Sequence, residues 1–452
     1  MMNSHPLRIE LHDEVHARPR PSISLPHSIA HVSVMHSGQA QACPPALLDF
    51  CAAHGVAPPA AGDVRFTAEV GTLRLRWEWH REYHEYTAYV PECDAQQPFS
   101  PNEADRVLGE LLASETGLVI AALRLGIVAH DASIANEARA EQLFKTDGSI
   151  GASGLIGTAI MDNAAEIYSD FQLDAAGFGR FLLIGRDTRP PQLGRSVQRI
   201  IDIEVGRMMA MLAYPEARDL SQVLREMEST LSGLVARMDI ATAAEEPEIL
   251  QDVIRLAAEV EQMSTYSAYR LDAAQAYCGL VRRGLHDLRE RRLGWLQTPT
   301  EFLERRFDPA MALCEATNAR LKSVSERVAR ASALLGTRVE IDRERQNQEL
   351  LAAMNERAEL QLRLQQTVEG LSVAAIAYYA TGLIGYIFKS AEKMGLPIKY
   401  ELITGLAVVP IVLAVWFFMH RVRKHIDGPV EQPVHEGVAW FTSPSKTDTG
   451  TH

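Results

Sequence analysis

Apolar and polar residues alternate along four stretches near the start of the chain: IAHVSVMH (29–36), VRFTAEV (64–70), TLRLRWEW (72–79) and HEYTAYV (84–90). A period of two puts successive side chains on opposite faces, so these stretches read as half-buried strands. ALRLGIVA, LIGTAIM and GRFLLIG add further strand candidates. Between them, PPALLDFCAAHG and PNEADRVLGELLAS open on proline or asparagine and read as helices. The pattern predicts a mixed α/β domain over residues 1–190, within an α+β chain.

Beyond residue 190 the period lengthens. LREMESTLSGLVARM and LHDLRERRLGWLQTPTEFLERRF carry periodic leucines among mixed charges, as helical bundles and coiled coils do. A long helical bundle or coiled-coil region is expected over 191–337, punctuated by Pro215, Pro247, Pro299 and Pro309, with Thr298, Pro299 and Glu301 marking a helix start. Residues 338–388 then contain no proline, and their first glycine is Gly370. That predicts one helix of about 50 residues, roughly 75 Å long at 1.5 Å per residue. Its first part, 338–369, is expected to be a stalk next to a membrane. One side carries Leu350, Met354, Leu360, Leu364, Val368 and Leu371 at helical spacing; the other carries Gln348, Asn355, Glu359, Gln366 and Glu369. The apolar side needs a partner helix, and the polar side is either solvated or lines the axis of a symmetric oligomer.

Two stretches carry no charge at all: GLSVAAIAYYATGLIGYIF (370–388) and LITGLAVVPIVLAVWFFM (402–419). At 19 and 18 residues, each approaches the roughly 20 that span a bilayer as a helix. Tyr386, Trp416 and Phe417 fall near the span ends, where aromatic rings favour the headgroup level, and Pro410 is tolerated in lipid. A two-helix transmembrane hairpin is expected, joined by the polar loop KSAEKMGLPIKYE and followed by a tail at 420–452, basic and then disordered. Basic residues flank both sides of the spans almost evenly. The orientation therefore rests on the 369 residues that precede the first span without an export signal, which places the first domain and the tail in the cytoplasm and the hairpin in the inner (plasma) membrane.

Composition adds exclusions. The 452 residues suffice for two or three domains, and 47% hydrophobic with 23% charged residues is ordinary for folded proteins. A net charge of −13 argues against nucleic acid as a main partner, because phosphate binding needs a basic surface. Five scattered cysteines without a CxxC pair indicate reduced thiols and neither a zinc ribbon nor a disulfide framework. No P-loop, GxGxxG or GxSxG pattern occurs.

Two polar clusters remain. In HDEVHARPRP (12–21), His12 and His16 have the spacing of a zinc-peptidase motif. Asp13 stands where such a site needs a glutamate, about 1.5 Å short in reach, and the prolines that follow cannot extend a helix. The motif therefore fails as a peptidase centre. The motif, with Glu14 and His16, reads better as architectural: Arg18 and Arg20, beside prolines, fork onto carboxylates that pin the N-terminal arm down. In WEWHREYHEY (77–86), alternation sends Trp77 and Trp79 to one face and Arg76, Glu78 and His80 to the other. The simplest reading of that second face is a solvated outer sheet surface with ion pairs. His80 and Glu82, joined by His16, form the candidate cluster for a metal or an anion.

HPLRIELHDEVHARP, WEWHREY, GRSVQRIIDIEVGRMMAML and TRVEIDRERQNQELLAAMNERAELQLRLQQTVEGLSVAAIAYY resemble stretches of a bacterial membrane-anchored family of unknown function, domain-of-unknown-function family 3422. The resemblance runs from about residue 5 to 425. Its N-terminal motif resembles N-E-x-H-A-R-P, matched by Glu14, His16, Ala17, Arg18 and Pro19, with His12 outside it. Its second motif resembles E-x-x-x-Y-R, whereas Gly206 precedes Arg207 here, which removes any role tied to that tyrosine. The resemblance implies a membrane location and brings no activity. In architecture alone the chain is also similar to CorA-type magnesium channels, but their Gly-Met-Asn signature is replaced by Gly385-Tyr386-Ile387-Phe388-Lys389.

These features point to a membrane-anchored scaffold or interaction protein, homo-oligomeric, with the lipid bilayer and its own copies as partners and no cofactor. A CorA-like transporter or channel component, with a divalent cation as cargo, is the alternative. A metal-dependent enzyme using His16 and His80 is the third reading, and an enzyme is not expected.

Overall fold

The computed structural model describes residues 5–9, 11–12, 21–36, 43–145, 154–393 and 400–426. The chain divides into two units, Met1–Val339 and Glu340–His452.

The first unit is built on one nine-stranded sheet. Its strands are β1 (His27–Met35), β2 (Arg65–Val70), β3 (Leu73–Trp79), β4 (Tyr83–Val90), β5 (Leu118–Ala129), β6 (Ile156–Ile160), β7 (Ala165–Leu173), β8 (Gly179–Gly185) and β9 (Arg291–Arg292). They lie in the order β2-β3-β4-β1-β5-β8-β7-β6-β9. Neighbours are antiparallel except β5 and β8, which run parallel from Leu123↔Gly179 to Ala129↔Gly185.

Helices cover both faces. α1 (Pro45–His54) and α2 (Glu103–Ser114) pack on β1–β4 through Leu47, Phe50, Val107 and Leu108 against Val32, Leu75, Trp77 and Tyr86. α2 starts at a reciprocal cap: the Ala104 amide donates to the Asn102 side chain, and the Asn102 amide donates to Asp105. α3 (Asn136–Lys145) adds Ala140 and Phe144 over Leu182 and Ile184 of β8. On the opposite face, α4 (Pro190–Met211) lays Leu193, Val197, Ile200 and Ile201 on Ile29, Leu123, Leu125 and Leu183. This large core continues into a bundle with α5 (Ala213–Ile240), α6 (Glu246–Leu288) and the start of α7 (Pro299–Lys393).

Two close approaches fix α4. A Cβ at Gly194 would overlap the carbonyl oxygen of Pro21, so only glycine lets the N-terminal arm lie there; the Ile23 amide then donates to the Pro190 carbonyl (3.1 Å). A Cβ at Gly206 would sit 3.1 Å from Val281 on α6. A tyrosine at this position would be driven into that helix, which gives the Gly206 departure from the E-x-x-x-Y-R pattern a packing cause.

α7 starts at Pro299, where Thr298, Pro299 and Glu301 mark a helix start in the sequence, but it differs from the expectation in running on through Pro309 and residue 338 as one helix of 95 residues. An interior proline removes one backbone hydrogen bond and costs about 3 kcal/mol. Phe302, Leu303, Phe307, Ala310, Met311 and Cys314, all buried around it, offset that cost.

In the second unit, residues 340–393 continue α7, and α8 (Tyr400–Ile426) follows with Pro410 inside it. Both helices contain a stretch long and apolar enough to cross a membrane; 6% of that stretch is buried in α7 and none in α8. The two meet where Gly385 lies against Thr404: a Cβ there would be 3.4 Å from the Thr404 methyl.

Candidate functional site

The β3–β4 hairpin carries polar side chains on both faces, and each face is covered by helices. On the α4 side stand Arg76 and Glu78 of β3 and Glu85, Thr87 and Tyr89 of β4, joined by His31 and Ser33 of β1. The register sets Glu78 opposite Glu85, Ser33 opposite Glu85 and His31 opposite Thr87. Like charges directly opposite repel, so the two glutamates need compensation. Arg76 supplies it by bonding Glu78 Oε1, where Arg65 Nε also approaches to 3.6 Å. Arg76 reaches Gln198 of α4 as well (3.3 Å), so the helix closes over this face. The expectation of a solvated outer surface is thereby corrected: Glu78, Glu85 and His31 are all buried, because the nine-stranded sheet has helices on both sides.

Glu85 lies between two imidazoles. His80 Nε2 is 3.7 Å from its Oε1, and His31 Nε2 is 3.8 Å from its Oε2. Burial raises the Glu85 pKa, but His80, then His31 and Arg76, outweigh burial and hold it below the usual carboxylate range. His31 shifts down because burial disfavours its charged form more than Glu85 favours it. Its ring nitrogens are used by Thr87 Oγ1 (2.9 Å) and Ser33 Oγ (3.0 Å). Burial pushes the Tyr89 phenol up to about 12, and its hydroxyl is enclosed beside Arg76 without a hydrogen bond of ordinary geometry. Donor atoms of Glu78, His80 and Glu85 all fall within 4.8 Å of one another, the one such metal-capable group among the described residues.

His80 and Glu82 share the turn between the strands, but they meet different partners. The His80 amide donates to the Tyr83 carbonyl (2.8 Å), and its ring stacks on Tyr83 at 4.4 Å, which points it toward Glu85. Glu82 instead accepts from the Tyr277 hydroxyl (3.0 Å) and pairs with Arg270 (3.3 Å), both on α6. It anchors the hairpin to the helical bundle. Glu14, His16 and Arg18 lie outside the described residues. Of the stalk row, Gln348, Asn355, Glu359 and Gln366 are exposed and Glu369 is half-buried.

The opposite face holds a second polar group that sequence reasoning passed over. His84 Nε2 lies 3.1 Å from Glu115, which also accepts from the Tyr86 hydroxyl (3.1 Å). Burial raises the Glu115 pKa, but the bond and charge of His84, with the bonds from Tyr86 and the Thr116 amide, together outweigh it and the net shift is downward. Trp79 stacks on His36 at 3.9 Å and on His84 at 5.8 Å. His31, Ser33, Glu85 and Thr87 were also missed. Their signal was polar residues at every second position of two strands that the register brings side by side.

The family described as "Protein of unknown function (DUF3422)" matches residues 3–426 of this sequence. No curated protein matches it.

Proposed function

We propose, for a chain that belongs to this family of unknown function across nearly its whole length, the role of a membrane-anchored interaction protein that assembles with its own copies. The hairpin formed by the end of α7 and α8 holds it in the bilayer, and the sheet-and-bundle unit stands on the cytoplasmic face. One observation carries the reading: every residue from 343 to 368 is exposed, although Leu350, Met354, Leu360, Leu364 and Val368 recur there at helical spacing. A row of this kind is stable in water when another helix covers it. A second copy of the same stalk supplies an identical row, interrupted by Arg357 and Gln361.

Light scattering on the detergent-extracted full chain tests this. An oligomer is expected, and Leu350→Asp with Leu364→Asp should shift it to smaller species. A monomer at all concentrations would remove the assembly from the account.

A further inference from the structure

We propose that Glu78, His80 and Glu85 bind one divalent cation of the zinc class. One imidazole nitrogen and two carboxylates make a borderline donor set of the kind that zinc and its neighbours accept, and three protein ligands leave a coordination position open for water. The spacing fits. Donors in a tetrahedral shell with metal–donor distances near 2.1 Å stand about 3.4 Å apart. His80 Nε2 and Glu85 Oε1 stand 3.7 Å apart, too far for a hydrogen bond and close to that edge.

Three observations beyond the carboxylates point to a ligand. His80 Nε2 is enclosed without a hydrogen-bond partner, and an enclosed polar atom left unmatched costs free energy. The Tyr89 side chain is 3% exposed and neighbours Arg76, Glu85 and Glu78, with its hydroxyl likewise unmatched. It can donate to a metal-bound water or a metal-bound carboxylate. Finally, the ligands are held from behind: Arg76 and Arg65 both engage Oε1 of Glu78, which leaves Oε2 for the cation. His31, itself tied by Thr87 and Ser33, faces the second oxygen of Glu85. Supports of this type orient metal ligands and are part of a working site. The Arg76 charge opposes a cation and limits affinity, so binding in the micromolar range is expected.

The test uses the full chain in detergent, stripped with a chelator and titrated with Zn²⁺ by calorimetry, with bound metal counted by mass spectrometry. His80→Gln and Glu85→Gln are the variants, and His54→Gln, on the α1 surface, is the control. The expected result is one Zn²⁺ per chain, with affinity reduced at least tenfold in both site variants and unchanged in the control. Absence of binding by the unaltered protein, or equal binding in His80→Gln, overturns the site. Should the variants fail to fold, carbethoxylation of the unaltered protein decides: Zn²⁺ should protect His80 and leave the exposed His286 reactive. An unprotected His80 at saturating Zn²⁺ overturns the proposal equally. Neither readout depends on the oligomer or on the bilayer, so this inference and the anchoring role fail separately.

Discussion

Along α7 one helix passes through two kinds of surroundings. From Phe302 to Leu335 a buried residue recurs every three or four positions: Phe307, Met311, Cys314, Leu321, Val324, Val328. That row is covered by α5 and α6 of the same chain. From 343 to 368 the leucines continue and no described residue covers them, and from Gly370 to Phe388 the helix carries no charge on any side. The local sequence is equally helical in both halves. What differs is the matching surface: the chain's own helices supply it in the first half, and the proposed second copy would supply it in the other. A helix that is apolar all round belongs in a large core or a membrane, and with almost none of the span buried, the membrane is the surroundings that fit.

Substitutions on the two halves should therefore behave oppositely. Leu321→Ala removes a side chain that is 1% exposed, and should destabilise the first unit by about 2–5 kcal/mol in urea unfolding. Leu364→Ala, on a residue 68% exposed, should leave that transition within about 0.5 kcal/mol and act only on assembly. Equal losses at both positions would erase the contrast.

A smaller effect separates the units by pH. His31, Glu85 and Glu115 all belong to the first unit, and all three have pKa values below their ordinary ranges. For His31, the unfolded chain takes up a proton near about pH 6.5 that the folded chain refuses, so stability falls as pH drops below that value. One proton gives a slope no steeper than about 1.4 kcal/mol per pH unit. For the two glutamates, the stabilisation is present above about pH 4.3 and is lost as pH falls through their depressed folded values. Urea unfolding followed by tryptophan fluorescence should show the first slope in the unaltered protein and a shallower one in His31→Asn, where His27, also shifted down by burial, supplies the rest. An unchanged slope would locate the proton elsewhere.

The chain order of strands and helices was largely legible because each element shows its period. β7 was not read: AEIYSDFQL carries Ser169 and Asp170, which look like surface or turn residues. In the fold Asp170 pairs with buried Arg180 at 2.8 Å, and Ser169 donates to the Arg180 carbonyl, so the polar groups are matched inside. The start of α7 at Pro299 was legible, but its continuity through Pro309 was not, because the proline's cost is outweighed by neighbours the local sequence cannot show. The hairpin's polar residues were visible as residue types, but not by what they meet. The Tyr277 partner of Glu82 is 195 positions away, and the helix over Glu78 and Glu85 comes from beyond residue 190. Polarity is a local property of the sequence; burial is decided by the sheet and helices as a whole.

The most direct measurement is alkaline carbonate extraction of membranes from cells expressing the full chain, followed by ultracentrifugation. With the ends of α7 and α8 embedded in lipid, the protein should stay in the pellet and enter the supernatant only with detergent. Release by carbonate alone would show that these helices are covered by protein, and would contradict the anchoring on which the account depends.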